Sequence, residues 1–331
     1  MTSFPRIIIR LPNWLGDLVM STAFVKAVRD AYPDAIIDLI TKKGIDFLLD
    51  HFPAHNQRFV FDKNEFKGLR GAWQFGKRLS KNKYDIYFCI PDSLSSAVMA
   101  RASGATKIVG FKKEMRSFLL THSYTKPVNM HRVEEYVNLL EQFVQNKILI
   151  PTVELTHDVI QRQKRIVVNV NSEASSRRLP KQKAISLINK LARETTSQLW
   201  LVGSPNEQDW VDEIYQELEN KTQVVNVAGK TNMLQLIEIF SSCQLVLTTD
   251  SGPAHVSNAL GTPTIILFGA GNENNTAPYN AKHRRVIRLG QLPCEPCTKN
   301  VCKLYPEPAC LTRLDDTIIM NAVNELINVN Q

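Results

Sequence analysis

Asp17 follows Gly16 in the run Pro12-Asn13-Trp14-Leu15-Gly16-Asp17, directly behind the apolar stretch Ile7-Ile8-Ile9. A carboxylate in the loop at the carboxyl end of a strand is placed to take a proton from a hydroxyl nucleophile. Its competing role is the N-cap of the helix that follows. A second set of residues lies in Thr249-Asp250-Ser251-Gly252-Pro253-Ala254-His255. Here an apolar run, Leu245–Thr249, ends in Asp-Ser-Gly-Pro and passes into a helix-compatible segment that Gly261 stops. Pro253 suits the first helical position, where a missing N–H costs nothing. Gly252 lets a ligand come close to the backbone. The free N–H groups and the dipole of such a helix start make an anion site, typically for a phosphate. The alternative is an ordinary strand–helix turn capped by Asp250.

Three further segments carry candidate groups. The loop Asn171–Pro180 holds Ser172, Ser175, Ser176, Arg177 and Arg178, whose hydroxyls and forked guanidinium groups suit a diphosphate. Glu207, after Gly203-Ser204-Pro205-Asn206, could bond a ribose diol or answer a helix dipole. Cys294, Cys297, Cys302 and Cys310 follow the spacing C-x2-C-x4-C-x7-C, which resembles a structural zinc site without matching a standard one. Four prolines, Pro293, Pro296, Pro306 and Pro308, stiffen that segment without a metal.

These groups need a scaffold, and the apolar pattern supplies one. Strands are expected at Arg6–Leu11, Ala35–Ile40, Arg58–Phe61, Tyr84–Ile90 and Lys107–Gly110, with a helix from Val133 to Gln145. The pattern restarts at Arg165–Val170 and continues with strands at Gln198–Val202, Val224–Val227, Leu245–Thr249, Thr264–Phe268 and Arg285–Arg288. Strands alternating with helical segments argue for an α/β fold with parallel sheets. Two such starts argue for two doubly wound, Rossmann-like domains, 1–152 and 153–314. A last helix, 315–331, has Asp315 and Asp316 at its positive end.

Composition narrows the class. With 331 residues, 44% hydrophobic and 22% charged, the chain reads as an ordinary globular protein. No apolar run reaches the ~18 residues of a membrane span, and the start does not read as a signal peptide. A cytoplasmic protein is expected, in which disulfides are improbable. The net charge of +8 lies wholly in the first half. Residues 1–150 hold 22 Lys and Arg against 14 Asp and Glu, whereas 151–331 hold 18 of each. The densest basic stretches are Arg58–Lys83 and Arg101–Arg132. A basic domain points to an anionic partner: nucleic acid, a membrane surface or a phosphorylated substrate. No Gly-x-Gly-x-x-Gly follows either leading strand, which weakens a dinucleotide-dehydrogenase reading. No Asp-x-Asp pair marks a metal clamped on a diphosphate.

Taken in order, Leu11-Pro12-Asn13-Trp14-Leu15-Gly16-Asp17-Leu18-Val19-Met20-Ser21, Arg177-Arg178-Leu179-Pro180, Ala228-Gly229-Lys230-Thr231, Thr249–His255 and Cys294-Glu295-Pro296-Cys297 resemble glycosyltransferase family 9, the ADP-heptose:lipopolysaccharide heptosyltransferases. The Trp-Leu-Gly-Asp form and the cysteine-rich tail are most similar to its heptosyltransferase II branch. The resemblance covers nearly the whole chain. It implies a GT-B fold, two facing Rossmann-like domains with the last helix packing back toward the first. It implies a donor, ADP-heptose, bound by the second domain through Ser172, Ser175, Ser176, Arg177, Arg178, Glu207, Lys230, Thr231, Asp250, Ser251, Gly252, Pro253 and His255. The acceptor implied is an anionic lipid A–inner core glycolipid at the inner membrane surface. It would be bound by the basic first domain through Trp14, Gly16, Lys112, Lys113, Arg116, His131 and Arg132. Asp17 would be the general base of an inverting transfer, with no cofactor or metal required and neither nucleic acid nor a stable protein partner.

The chain also departs from the family. Asn171-Ser172-Glu173-Ala174 stands where Pro-Gly-Ala is usual. Arg177 replaces a phosphate-binding Lys, and Leu179 a Trp. These changes bear on the donor sugar and on activity, so two alternatives stand beside heptosyl transfer. One is the same chemistry with another nucleotide sugar. The other is a catalytically silent binder of sugar nucleotides or anionic glycolipids. If Asp17 were only a cap, His131 and Glu134 would be the next candidates for the base. A basic zinc-containing nucleic-acid binder would leave both phosphate-type loops unexplained.

Overall fold

The computed structural model describes residues 4–113, 115–158 and 161–328. The chain divides into two compact units, Met1–Thr156 and His157–Gln331, four residues beyond the expected boundary. The first contains strands β1 (Arg6–Arg10), β2 (Ile36–Lys42), β3 (Arg58–Phe61), β4 (Ile86–Cys89), β5 (Lys107–Phe111) and β6 (His122–Tyr124). All pair in parallel in the order β3-β2-β1-β4-β5-β6. The second contains β7 (Gln163–Asn169), β8 (Gln198–Leu201), β9 (Val224–Asn226), β10 (Cys243–Thr249), β11 (Thr264–Phe268) and β12 (Arg284–Arg288). These are also parallel, in the order β12-β11-β10-β7-β8-β9. Each unit thus has the doubly wound Rossmann order, with a switch point between β1 and β4 in one and between β7 and β10 in the other.

The central strands are apolar throughout because helices cover both faces of a parallel sheet. Ile7, Ile8 and Ile9 are wholly buried, as are all five residues of β11. The edge strand β6 escaped the sequence reading: its three residues, His-Ser-Tyr, are half-buried and show no apolar run. Helix Gly68–Leu79 joins β3 to β4 and lies against helix Leu94–Ala102. Gly76 permits that approach, since a Cβ there would fall 2.2 Å from the Met99 carbonyl oxygen. The last helix, Asp316–Asn328, begins one residue later than expected, and its expected end at 329–331 lies outside the described residues. It buries Ile319, Met320, Ala322 and Val323 in the core of the second unit. Lys183 pins its start, at 2.5 Å from Asp316.

Candidate active site

In the first unit, helix Leu15–Met20 begins with Trp14 in the cap position, and no side chain makes a capping bond there. Asp17 therefore lies in the first turn and is not the cap. Its carboxylate accepts a hydrogen bond from the Tyr136 hydroxyl at 3.2 Å and faces Arg132 Nε at 3.6 Å. Both partners come from helix Arg132–Val144, which the core residues Val133, Val137 and Leu140 hold in place. Burial pushes the Asp17 carboxyl above its ordinary range. The Arg132 charge and then the Tyr136 hydrogen bond oppose the shift, Glu135 adds to it and Lys126 opposes it. A carboxylate whose proton affinity burial raises, while a cation and a phenol favour its ionised form, is suited to the role of proton acceptor.

The environment of Asp17 continues as a chain of alternating charges. Arg132 meets Glu135 at 3.1 Å, Lys126 meets Glu135 at 2.9 Å, and Asp92 lies 3.8 Å from Lys126 and 3.4 Å from Lys113. Asp92 follows β4, the switch-point neighbour of β1, so the chain runs along the carboxyl edge of the sheet where ligands of such folds bind. Beneath the loop, the buried Arg10 guanidinium donates to the Leu11 carbonyl and to Asn13 Oδ1 and fixes the loop's course.

The other residues expected to face an acceptor divide. Trp14 is 62% exposed, Lys112 and Lys113 are exposed, and Arg132 adjoins Asp17. Gly16 lies in the same helical turn as Asp17. His131 is the N-cap of helix Arg132–Val144, its Nδ1 accepting from the Val133 amide at 3.2 Å. Arg116 is a correction. It is wholly buried and donates to the Pro91 carbonyl at 2.7 Å, so it stiffens the edge from within and offers no charge to a surface ligand. A lysine or arginine in a basic stretch reads alike in sequence whether it points outward or inward.

In the second unit, helix Gly252–Ala259 opens at Gly252, with Pro253 second and Ser251 in the cap position. The Ser251 hydroxyl does not cap the helix. It donates to the Thr249 carbonyl and accepts from Asn169 Nδ2 at 3.0 Å. Pro253 has no N–H and the Ala254 amide donates to the Ser251 carbonyl at 3.1 Å, so the amides of Ser251 and Gly252 are the ones placed for an anion. Asp250 is no cap either. Its buried carboxylate lies 3.5 Å from Arg177 Nη1 and is raised by burial against the pull of Arg177. A Cβ on Gly271 would come within 2.1 Å of Asp250 Oδ2, so any larger residue there must push the carboxylate aside. Ser172 donates to the Asp250 carbonyl, and His255 is buried one turn into the helix.

Several groups expected on the donor side have partners within the protein. The Ser175 and Ser176 hydroxyls donate to the carbonyls of Asn300 and Lys299, tying their loop to the cysteine-rich segment. Arg178 donates to the Ser172 carbonyl and lies over the Trp210 ring. Glu207 closes a capping box on Ser204, accepting from its amide and its hydroxyl at 2.8 Å each. The segment that carries Lys230 and Thr231 adjoins the Glu207 loop, through the Gly229 amide donating to the Gly203 carbonyl at 2.9 Å. The cysteines are free thiols, and among the described residues no group of three or more His, Cys, Asp or Glu could hold a metal ion. Cys294, Cys297 and Cys302 are half-buried and Cys310 is buried. Their segment is a buttress, with the Thr298 amide on the Ala270 carbonyl at 2.7 Å and Cys310 packed against Gly269.

Sequence reasoning missed the residues that hold these groups in place. Asn169 ends β7 and donates to Thr248 Oγ1 and Ser251 Oγ, each at 3.0 Å, while its Oδ1 accepts from the Asn171 amide. It joins the loop after β7 to the turn after β10 across the switch point. The one signal for it was a polar residue closing the run Ile166-Val167-Val168. Arg288 likewise donates to the Gly269 and Gly271 carbonyls and pairs with Glu273 and Glu295.

The two doubly wound domains make a GT-B fold, and each carries candidate groups at its switch point, a half-buried carboxylate in one and a helix start beside an arginine in the other. The family profile described as Glycosyltransferase family 9 (heptosyltransferase) matches residues 72–306, and the chain belongs to that family. Its relatives include lipopolysaccharide heptosyltransferase 2 of Escherichia coli K12, 27% identical over 86% of this chain and 88% of that protein. Lipooligosaccharide heptosyltransferase 2 of Campylobacter jejuni subsp. jejuni serotype O:2 is 26% identical over 98% of this chain and 99% of that one. Among solved structures, E. coli ADP-heptose LPS heptosyltransferase II superimposes with a TM-score of 0.82 at 23% identity, over 98% of this chain and 99% of that one. The glycosyl transferase family 9 protein of Veillonella parvula DSM 2008 gives the same score at 19% identity, over 98% of each chain. The two structures establish the shared fold.

Proposed function

We propose that this enzyme transfers heptose from ADP-heptose to a hydroxyl of the lipopolysaccharide inner core, with inversion, at the cytoplasmic surface of the inner membrane. The observation that carries the reading is the setting of Asp17, a half-buried carboxylate held by Tyr136 and Arg132 in a member of this family. The acceptor oxygen attacks the anomeric carbon as the bond to the ADP oxygen breaks, and the acceptor proton passes to Asp17. Charge gathers on the departing diphosphate. The amides around Ser251 and Gly252, with Arg177, stabilise it there in place of a metal ion. Adenosine lies toward Glu207, Lys230 and Thr231, at the carboxyl ends of β8 and β9. Lys112, Lys113, Arg132 and Trp14 meet the anionic acceptor.

One observation favours a second reading, the same chemistry with another nucleotide sugar: the exposed Glu173 places a negative charge in the donor loop. A thermal-shift panel of ADP, UDP, GDP and their sugars separates the two, since a ligand that binds only the folded state raises its melting temperature. The largest shift is expected from ADP-heptose. A larger shift from a UDP- or GDP-sugar would establish the second reading.

A further inference from the structure

The basic stretch Arg58–Lys83 takes no part in the site described above, and its centre is helix Gly68–Leu79. One side of this helix, Gly71, Ala72, Phe75, Gly76 and Leu79, is buried. Around the opposite side stand, in order, Leu69, Trp73, Lys77, Arg70, Gln74 and Arg78, all exposed. Leu69 and Trp73, one turn apart, are 48% and 49% exposed. Residues 63–83 hold seven Lys and Arg against Glu65 alone. Glu65 is taken by Arg78 at 3.0 Å. Among the described residues Lys63, Lys67, Arg70, Lys77 and Lys81 have no ion-pair partner in the protein.

We infer that the outer face of helix Gly68–Leu79 is a docking surface for an anionic lipid bilayer, with Leu69 and Trp73 entering the headgroup boundary and Lys67, Arg70 and Lys77 meeting lipid phosphates. The inference rests for its purpose on the proposed reading, in which the acceptor is anchored in a membrane. Charge alone would suit any polyanion. The apolar pair beside it selects the bilayer, because a nucleic-acid backbone offers Leu69 nothing to bury against. An indole is at home in the interface, its ring among acyl chains and its N–H toward water. Each basic group near an anionic surface adds to the attraction, which salt weakens. The interior side of the helix is fixed by close packing, with Gly71 and Gly76 admitting no Cβ, so the docking face is presented rigidly.

The test is co-sedimentation of the full chain with vesicles of phosphatidylglycerol and phosphatidylethanolamine, against vesicles of phosphatidylcholine alone. The parent should bind the anionic vesicles and leave the neutral ones. Arg70→Glu with Lys77→Glu, and separately Leu69→Ser with Trp73→Ser, should each lower binding at least tenfold. Both pairs are exposed, so melting temperature and the shift produced by ADP should match the parent. No binding by the parent, or undiminished binding in either double variant, overturns the inference. Loss with the charge reversals but not with the apolar pair also overturns it, because the surface would then be a general polyanion site. The vesicle assay uses no substrate, so a failure of the heptosyl-transfer reading shows in the nucleotide panel and leaves this result standing.

Discussion

At the scale of the residue, Asp17 separates chemistry from structure cleanly, because it caps no helix. Asp17→Asn removes the proton acceptor and keeps the shape. Transfer should fall by ~100- to 10,000-fold, the usual contribution of a general base. ADP binding and melting temperature should stay near the parent, and near-parental kcat would show that the base lies elsewhere. Tyr136 gives a finer test through pH. Its hydroxyl hydrogen-bonds the ionised form of Asp17 and so lowers a carboxyl that burial raises. In Tyr136→Phe that help is gone, the carboxyl titrates at higher pH, and the acid limb of the pH–rate profile should move upward. An unmoved limb with reduced kcat would mean that Tyr136 only packs. The linkage sign for stability is the same for Asp17 and Asp250, both raised in the folded state. A carboxyl raised above its unfolded value costs stability at neutral pH. That cost is relieved as pH falls through the folded and then the unfolded value.

At the scale of the element, the proposed donor site depends on two connections, the loop after β7 and the turn after β10, being held in register by Asn169. Asn169→Leu keeps the volume and removes the bonds to Thr248, Ser251 and Asn171. Leaving buried partners unpaired costs about 1–3 kcal/mol. The variant should melt lower and bind ADP more weakly, with its KM for donor raised more than its kcat is reduced, as kinetics on an active donor will read. Gly271→Ala should be worse for the nucleotide, because the new methyl meets the Asp250 carboxylate and displaces it from Arg177. Parental ADP affinity in Gly271→Ala would show that Asp250 does not organise the site.

At the scale of the whole molecule, the two units should divide the labour of binding. Lys112→Glu with Lys113→Glu should raise the acceptor KM and leave the ADP-induced thermal shift unchanged. Arg116 does not belong in that variant, since its buried guanidinium would be replaced by a buried, unpaired carboxylate and the unit would unfold. Equal loss of acceptor and ADP binding in the lysine variant, with the fold intact, would contradict the division. Transfer should also persist in excess chelator, because in the proposed reading amides and a guanidinium attend the diphosphate. Activity lost to chelator and restored by magnesium would show that a metal stands there after all.

What the sequence determined by itself was periodic. Apolar runs such as Ile7-Ile8-Ile9 and Thr264–Phe268, alternating with helical segments, suit strands covered on both faces, so two such series read as two doubly wound domains. The Gly-Asp loop and the Asp-Ser-Gly-Pro turn lay at strand ends, where the fold must put its ligands, and were legible for that reason. The edge strand β6 was not, because three half-buried residues leave no period to read. The partners of each polar group were decided only by tertiary structure. Tyr136 reaches Asp17 across 119 positions, and Asn169 reaches Ser251 across 82. Nothing in local sequence records a contact that far along the chain. Burial sorted Arg116 from Lys112 and Lys113, long-range bonds tied the Ser175 and Ser176 hydroxyls to Asn300 and Lys299, and a local capping box engaged Glu207 with Ser204. A side chain's chemistry is written in its type. Its protonation, orientation and availability come from what the fold packs against it.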